Sequence, residues 1–317
     1  MNIVNRISAF MHSLASPSGN TCLACGTYAP LSKELPGICH RCVRSIPWIT
    51  QIRCVTCGRA IGCPDCSRGD HNRRSFECNR SAVVYDSLMR EWLAVYKYRG
   101  KERFAPLFGA MLNKAYLGMQ REYSAQLLRG DIGRVDEHEG ESAEQSKYNE
   151  GKVSIIHRHD LSINKHRPDI WRADAITYVP VSHERLIERG FNQAERMAVE
   201  LSRYQGLPVI PLLQRTKHTE KQSFKGRRER EISIQHAFDL RPDTERILNF
   251  LISEKMNGKL HRDKNHTIND KVQMKILLVD DVYTTGSTLE ACCKVIREWG
   301  SKRDIHISMY TVTWARS

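Results

Sequence analysis

The chain has 317 residues and carries 49 Lys+Arg against 36 Asp+Glu, a formal net charge of +13. This length can hold two compact units, and the positive charge favours an anionic partner. Hydrophobic residues make up 40% of the chain, which excludes full disorder. The sequence has no apolar run approaching about 18 residues, so it predicts no transmembrane segment. We interpret residues 7–15 as an amphipathic helix rather than a signal peptide, and we expect a cytoplasmic protein.

Cysteine is concentrated near the beginning of the chain. Nine of the eleven cysteines lie between Cys22 and Cys78. Paired cysteines in one block are typical of metal thiolates in a reducing compartment, and less typical of a secreted disulfide protein. Eight of them form four C-x-x-C pairs, which are Cys22 and Cys25, Cys39 and Cys42, Cys54 and Cys57, and Cys63 and Cys66.

The spacing of these pairs predicts zinc ligands. A two-residue spacer lets both sulfur atoms face one tetrahedral ion, and Gly26 and Gly58 supply freedom to the turn after Cys25 and Cys57. Because C-x-x-C-G recurs 32 residues later, we predict a double zinc ribbon over residues 1–80 with about two structural zinc ions. We favour sequential pairing of the four pairs, and a cross-braced arrangement stays open. Cys78 is interpreted as structural.

An α/β domain is predicted over residues 81–317, because strand and helix patterns alternate there. Residues 131–150 carry seven acids and two bases, which predicts a disordered insertion near residues 121–170. A second insertion is expected near residues 241–271. The strands are predicted at 82–85, 175–181, 276–279 and 305–313, the helices at 88–96, 104–111, 191–201 and 288–299, and a basic loop at 215–231.

Residues 276–288 carry the most informative motif. A buried strand ends in Asp280 and Asp281, and a turn rich in hydroxyl residues around Gly286 then opens a helix. Amide N–H groups at a helix N-terminus bind phosphate, while carboxylates bind ribose hydroxyls and Mg²⁺. The sequence lacks G-x-x-x-x-G-K in this segment, so the motif is not a P-loop. Cys292 and Cys293, on the helix that follows, are interpreted as buried packing residues.

This motif resembles the phosphoribosyl-pyrophosphate (PRPP) motif of type I phosphoribosyltransferases. Three further segments resemble the ComF/GntX family, which are competence-associated, phosphoribosyltransferase-like proteins with an N-terminal zinc ribbon. The segments are Val179-Pro180-Val181 followed by Arg189-Gly190-Phe191-Asn192-Gln193-Ala194, Thr219-x-x-Gln222 followed by Arg230 and Ala237-Phe238, and Tyr96-Lys97-Tyr98-Arg99-Gly100.

The resemblance implies an α/β type I phosphoribosyltransferase fold, a mostly parallel sheet flanked by helices, preceded by the double zinc ribbon. It implies catalytic roles for Asp280, Asp281 and Arg189. The pyrophosphate would lie at the turn formed by Pro180, Val181 and Ser182. The implied remainder of the PRPP site is Val282, Tyr283, Thr284, Thr285, Gly286, Ser287 and Thr288.

The function implied by the resemblance is binding of PRPP and Mg²⁺ by a ComF-type protein associated with competence and with handling incoming single-stranded DNA. The family also implies partners in the competence machinery, and we favour phosphoribosyl transfer as an activity. Two alternatives stay open. One is a nucleotide-salvage phosphoribosyltransferase, favoured by the intact 280–288 motif. The other is a non-catalytic nucleic-acid-binding module, favoured by seven bases and two acids in residues 215–230.

Overall fold

The computed structural model describes most of the chain, in seven ranges. They are residues 20–63, 66, 74–98, 102–132, 170–216, 236–257 and 273–317. The helix expected at 7–15, nearly all of the basic loop and most of the acid-rich insertion lie outside the described residues.

The described strands number eight. In chain order they are β1 (Asn20–Thr21), β2 (Tyr28–Ala29), β3 (Cys78–Val84), β4 (Ala175–Tyr178), β5 (Leu213–Arg215), β6 (Phe238–Leu240), β7 (Gln273–Tyr283) and β8 (His306–Arg316). β1 pairs with β2, and β5 pairs with β6, in two small antiparallel sheets. The other four strands form the main sheet.

The helices connect and cover these strands. They are α1 (His40–Arg44), α2 (Ser87–Tyr98), α3 (Ala105–Ile132), α4 (His183–Arg189), α5 (Gln193–Gln205), α6 (Thr244–Met256) and α7 (Ser287–Ser301), with a 3₁₀ turn at Glu102–Phe104 before α3. Within the described ranges, no helix has both the length and the apolar character that crossing a bilayer requires.

The main sheet has the strand order β3-β8-β7-β4, and every neighbouring pair is parallel. All four strands therefore end at the same edge of the sheet, which is the edge where ligands of open α/β sheets bind. This arrangement confirms the predicted parallel sheet flanked by helices. The predicted strand at 276–279 is the centre of the longer β7.

The central strand β7 separates two apolar cores, because alternate side chains of a strand point to opposite faces. Leu277 and Val279 belong to one core, and Ile276 and Leu278 belong to the other. We call the face with Leu277 the first core and the face with Ile276 the second core. All four side chains are fully buried.

Aromatic residues dominate the packing of the first core. Trp314 of β8 is fully buried, its ring centre lies 4.3 Å from that of Phe108, and its indole N–H donates to the Met111 sulfur. The ring of Phe108 also packs edge-on against Tyr96 of α2, which in turn contacts Phe191. These contacts fix α2 and α3 against the sheet.

Strand β3 crosses the domain boundary predicted at residue 80, because it runs from Cys78 to Val84. Its first half is polar yet buried: the Ser81 hydroxyl hydrogen-bonds Thr313 at 2.6 Å, and Arg80 pairs with Glu122. Partnered polar side chains permit burial. The apolar residues 82–84 alone gave the sequence signal, so the prediction began the strand too late.

Helix α3 corrects the predicted start of the first insertion. Residues 121–132 are helical rather than disordered, and Tyr123 packs against the rings of Trp171 and Tyr310. The Ser124 hydroxyl accepts a hydrogen bond from the Trp171 N–H at 2.9 Å. This polar segment is helical because one side of the helix packs against Trp171 and Tyr310.

The region of the second predicted insertion contains α6, where the sequence predicted only a polar stretch with an apolar patch. Leu248 and Leu251 of this helix belong to the second core. The Lys255 ammonium lies 2.7 Å from the Asp174 carboxylate, and both side chains are buried. Asp174 also accepts the Lys275 N–H, so this ion pair links α6 to β7.

Candidate functional site

The eight cysteines of the C-x-x-C pairs form two separate tetrads. The first tetrad is Cys22, Cys25, Cys39 and Cys42, and the second tetrad is Cys54, Cys57, Cys63 and Cys66. Within each tetrad all four sulfur atoms lie within 4.8 Å of one another. This confirms the sequential pairing, and the cross-braced arrangement is not formed. All eight are free cysteines rather than disulfides.

The sulfur geometry fits zinc. With Zn–S bonds of about 2.3 Å, neighbouring sulfurs of a tetrahedron are roughly 3.8 Å apart. The Cys22–Cys42 and Cys25–Cys39 separations are 3.7 and 3.9 Å, and the Cys57–Cys63 separation is 3.5 Å. Hydrogen bonds from the Thr27 side chain and backbone lower the pKa of Cys25 to about 6, whereas burial raises the pKa of Cys42, Cys57 and Cys66, so a metal ion must displace their protons. Both tetrads are therefore candidate structural zinc sites.

The two tetrads belong to different cores. Cys22, Cys39 and Cys42 are buried in the first core, whereas Cys57 and Cys63 are buried in the second. Segment 47–56 joins the ribbon to β3, where the Asn79 N–H donates to the Thr56 carbonyl. Each half of the ribbon thus packs against its own side of the sheet.

Asp280 and Asp281 lie near the end of β7, as the sequence predicted. The Asp281 N–H donates to the Asp280 carboxylate at 2.8 Å. Burial of this carboxyl, followed by the negative charge of Asp281, raises the pKa of Asp280 to about 8. Lys97 of α2 forms an ion pair with Asp281, and the two side chains are each 19% exposed.

Lys97 was not predicted to lie at this site, whereas Arg215 begins the basic loop that the sequence predicted. Lys97 lies in the Tyr96–Gly100 segment, whose family resemblance was noted without a role. Arg215 ends β5, and its charge opposes the raised pKa of Asp280. The basic loop therefore begins close to the carboxylate pair. The pKa of Arg215 is itself lowered by burial and by the charge of Arg185.

The segment 284–288 forms the turn between β7 and α7, and we call it the phosphate loop. Gly286 has φ +82°, and a Cβ at this position would lie 2.3 Å from the Tyr283 phenol oxygen. Only glycine fits both conditions without strain. The Thr285 and Ser287 hydroxyls hydrogen-bond each other at 2.8 Å at the N-terminus of α7. Amide N–H groups and hydroxyls thus meet where a helix begins, as anion sites require.

The ribbon contacts the backbone of the phosphate loop and the first turn of α7. Arg74 donates to the Thr285 carbonyl at 3.2 Å. The Ser75 hydroxyl and N–H both donate to the Glu290 carboxylate, at 2.7 and 2.9 Å, in the first turn of α7. These partners are more than 200 positions apart in the chain, so no local sequence pattern could have indicated them.

Arg316, the last residue of β8, contacts the same loop. Its guanidinium donates to the carbonyls of Tyr283 and Thr284 at 3.2 and 2.8 Å, lies 4.4 Å from the Tyr283 ring centre, and approaches the Cys57 sulfur at 3.8 Å. A terminal arginine carries no sequence signal for such a role, and the sequence analysis missed it.

The turn 180–182 also lies at this edge, because the Val179 N–H donates to the Val279 carbonyl of the neighbouring strand. Ser182 caps α4, accepting the Arg185 N–H at 3.4 Å. Arg189 ends that helix and donates to the Gln193 side chain at 2.9 Å. Asn192 caps α5 and donates to the Val179 carbonyl at 3.0 Å, which ties the start of α5 to the end of β4.

Comparisons with known proteins place these features in a family context. No family model matches the chain. It is 25% identical over 275 residues to competence protein ComFC of Bacillus subtilis, which covers 84% of this chain and 81% of that protein. It is 31% identical over 128 residues to competence protein F of Haemophilus influenzae, which covers 40% of this chain and 45% of that protein. These two relatives support the placement of the chain in the ComF family.

Proposed function

We propose that the chain binds PRPP with Mg²⁺ at the edge of the sheet where β7 ends. The observation that carries this proposal is the junction of β7 and α7, where a carboxylate pair is followed directly by a glycine turn and a helix N-terminus. Carboxylates recognise ribose hydroxyls, and the helix N-terminus recognises a phosphate monoester. A type I phosphoribosyltransferase fold for residues 81–317 belongs to the same proposal.

Each group at this edge has a role in binding. The amides and hydroxyls of residues 284–288 donate to the 5′-phosphate. Asp280 and Asp281 accept from the ribose hydroxyls or ligate the cation, and the turn 180–182 faces the pyrophosphate. Bound Mg²⁺ supplies positive charge beside the pyrophosphate leaving group. Arg189, oriented by Gln193, supplies a further positive charge from the end of α4.

The charge of the ligand-free site is balanced by the protein. Lys97 neutralises Asp281, and the raised pKa of Asp280 keeps that carboxyl largely protonated near neutral pH. A divalent cation competes with the Lys97 ammonium and with the Asp280 proton for the same oxygens. The freed ammonium then lies beside the bound phosphates, where its charge contributes to affinity.

We further propose a cytoplasmic protein that acts in natural competence and handles incoming single-stranded DNA. The names of the two relatives refer to competence. The basic stretch 215–230 begins at Arg215, whose charge acts on Asp280, so we propose that a strand bound by it passes close to the sugar-phosphate site. Phosphoribosyl transfer is the activity that this site would support, with the enzyme contributing positioning and exclusion of water.

Calorimetric titration with PRPP and Mg²⁺ tests the binding proposal. We expect saturable binding by the zinc-loaded protein and a loss of about 100-fold or more in the Asp280→Asn/Asp281→Asn variant, because two charged hydrogen-bonding groups are removed. Glu298→Gln is the matched control, since this exposed carboxylate lies at the far end of α7 and pairs along the helix with Lys294. Equal affinity of the two variants would refute the assigned site.

A second measurement separates an enzyme from a binding module. PRPP binding accompanied by pyrophosphate release with a base or nucleic acid supports transfer. PRPP binding without release in such a screen supports a binding role. Failure of the wild-type protein to bind PRPP, while it binds single-stranded DNA with steep salt dependence, would replace the proposal with the nucleic-acid-binding module.

A further inference from the structure

Arg316 connects the second tetrad to the phosphate loop. Its side chain is buried, with the whole residue 5% exposed. One end of the guanidinium contacts the Cys57 sulfur, and the other end donates to two consecutive carbonyls of the loop. A single rigid group therefore contacts both a predicted zinc ligand and the backbone that precedes the helix N-terminus.

The charge of Arg316 makes this contact significant. A buried guanidinium requires an anionic partner, since burial of an isolated charge is costly. Among the described residues, no Asp or Glu carboxylate forms an ion pair with Arg316, and its partners are the backbone oxygens of Tyr283, Thr284 and Ser317, an aromatic ring and the Cys57 sulfur. Four thiolates around one Zn²⁺ carry a net charge of −2. A zinc-loaded second tetrad thus places anionic charge against the guanidinium.

The carbonyl contacts orient the loop amides. In a trans peptide the carbonyl and the following N–H point in opposite directions. Arg316 binds the carbonyls of Tyr283 and Thr284, and Arg74 of the ribbon binds the carbonyl of Thr285. The N–H groups of residues 284–286 are consequently directed away from the ribbon. Consecutive N–H groups on one side of a turn form an anion-binding concavity.

We propose that Arg316 is a positioning residue that couples zinc at the second tetrad to phosphate binding at the loop 284–288. This rests on the proposed PRPP-binding function. Loss of zinc, with protonation of the four thiolates, removes the anionic charge beside Arg316, frees its guanidinium and relaxes the loop carbonyls. By thermodynamic linkage, a phosphate ligand tightens zinc binding at the second tetrad by the same factor.

The first tetrad provides a control within the same molecule. It has the same four ligands, but it packs in the first core, whereas Tyr283 and the second tetrad share the second core. Cys42→Ser and Cys57→Ser each remove one buried thiolate, one from each tetrad. Only the second change is adjacent to Arg316.

Titration of the full-length variants with ribose 5-phosphate and PRPP tests the coupling. We expect Arg316→Gln and Cys57→Ser each to weaken binding about tenfold or more, and Cys42→Ser to change it by less than about twofold. The Arg316→Gln/Cys57→Ser double variant should be no weaker than the single variants, because both act through one contact. Additive losses, or equal losses in the two cysteine variants, would overturn the proposal. Arg316→Lys, which keeps the charge, should recover part of the affinity and guards against simple misfolding.

Cobalt substitution gives a readout independent of activity. In Cys42→Ser, cobalt occupies the second tetrad, and its thiolate absorption bands should shift when ribose 5-phosphate is added. The shift should vanish in Cys42→Ser/Arg316→Gln. Unchanged bands in the first of these variants at saturating ligand contradict the coupling.

Amide hydrogen exchange at residues 284–288 separates this inference from the function on which it rests. If the wild-type protein binds no PRPP, the binding proposal fails, yet exchange still reports on the loop. Protection that decreases in both Arg316→Gln and Cys57→Ser, and not in Cys42→Ser, supports the positioning role. Protection that is equal in all four proteins refutes it.

Discussion

The two thiolate tetrads have the same ligands and the same C-x-x-C spacing within each pair, but their surroundings differ. The first tetrad completes the first core beside α1, where the aromatic residues of α2 and α3 pack. The second tetrad completes the second core, where it meets Arg316, Tyr283 and the phosphate loop. The repeated C-x-x-C motif therefore determines the metal ligands of each tetrad. The face of the sheet on which a tetrad packs determines which residues its ion can affect.

Removal of one zinc site should give the largest effect, and the effect should be confined to the half of the ribbon that holds that site. Zinc binding in isolated finger peptides is worth on the order of 10 kcal/mol, so a lost ligand should unfold the local segment. We expect Cys22→Ser to retain about one zinc and to lose exchange protection over residues 20–46, with residues 74–76 still protected. Cys57→Ser should show the reverse pattern. Elemental analysis and hydrogen exchange measure both outcomes, and a common loss of both zinc ions would deny their independence.

Truncation of Trp314 should destabilise the first core without altering the phosphate loop. The side chain is fully buried and contacts Phe108 and Met111, so Trp314→Ala should reduce the free energy of unfolding by about 3–5 kcal/mol. Chemical denaturation measures the loss. The affinity for ribose 5-phosphate below the unfolding transition should stay within about twofold of wild type. A large change in affinity would show that the two faces of the sheet are energetically coupled.

Removal of Lys255 tests the second core. Lys255→Met leaves the Asp174 carboxylate buried with the Lys275 N–H as its remaining donor, so we expect a loss of about 3 kcal/mol. Lys294→Met is the control, because Lys294 forms an exposed pair with Glu298, and its replacement should cost less than about 1 kcal/mol. Urea unfolding of both variants gives the comparison. Equal losses of unfolding free energy in the two variants would mean that the buried ion pair contributes no more to stability than the exposed pair.

Gly286→Ala should affect the phosphate loop more than the fold. An alanine at φ +82° costs about 1–2 kcal/mol, and its Cβ must displace the Tyr283 phenol. We expect modest destabilisation and a loss of ribose 5-phosphate binding that exceeds it. Gly118→Ala on α3 has open space at its Cβ, and as a helical substitution it should be neutral or stabilising. Unchanged binding by Gly286→Ala would remove the loop from the proposed site.

A change in the pH dependence of stability is expected at Asp280. The folded protein retains the Asp280 proton up to about pH 8, whereas an unfolded aspartate releases it near pH 4. This contribution to stability is therefore present below about pH 4 and is lost as the pH rises to about 8. Asp280→Asn has no such proton to lose. Denaturation between about pH 4 and 8 should show that the free energy of unfolding of the variant rises relative to that of the wild-type protein as the pH rises. A constant difference between the two proteins across this range would contradict the raised pKa.

The sequence was sufficient for the features encoded locally. The C-x-x-C spacing predicted both tetrads and their sequential pairing, and residues 276–288 predicted the buried strand, the carboxylate pair and the turn. The buried positions of Cys292 and Cys293 were also predicted correctly. In each of these cases the determining pattern lies within a few residues along the chain.

Features that depend on distant partners were missed. Polar residues 78–81 form a buried strand only because Thr313 and other side chains satisfy them, and α6 packs because Asp174 neutralises Lys255. Lys97 and Arg316 reach the site from helix and strand ends far from it in sequence. The sequence around a polar residue does not indicate the distant partner that permits its burial. Apolar periodicity therefore cannot predict such positions.

Strands β7 and β8 each contribute side chains to both cores, and this limits where the chain can be cut into stable fragments. Residues 22–46 complete the first core, and residues 57–63 complete the second. A fragment beginning at residue 81 would expose apolar surface on both faces of its sheet and would lose the first three residues of β3. We therefore expect the ribbon and the sheet of the zinc-loaded wild-type chain to unfold together, so calorimetric unfolding should give a single transition rather than two.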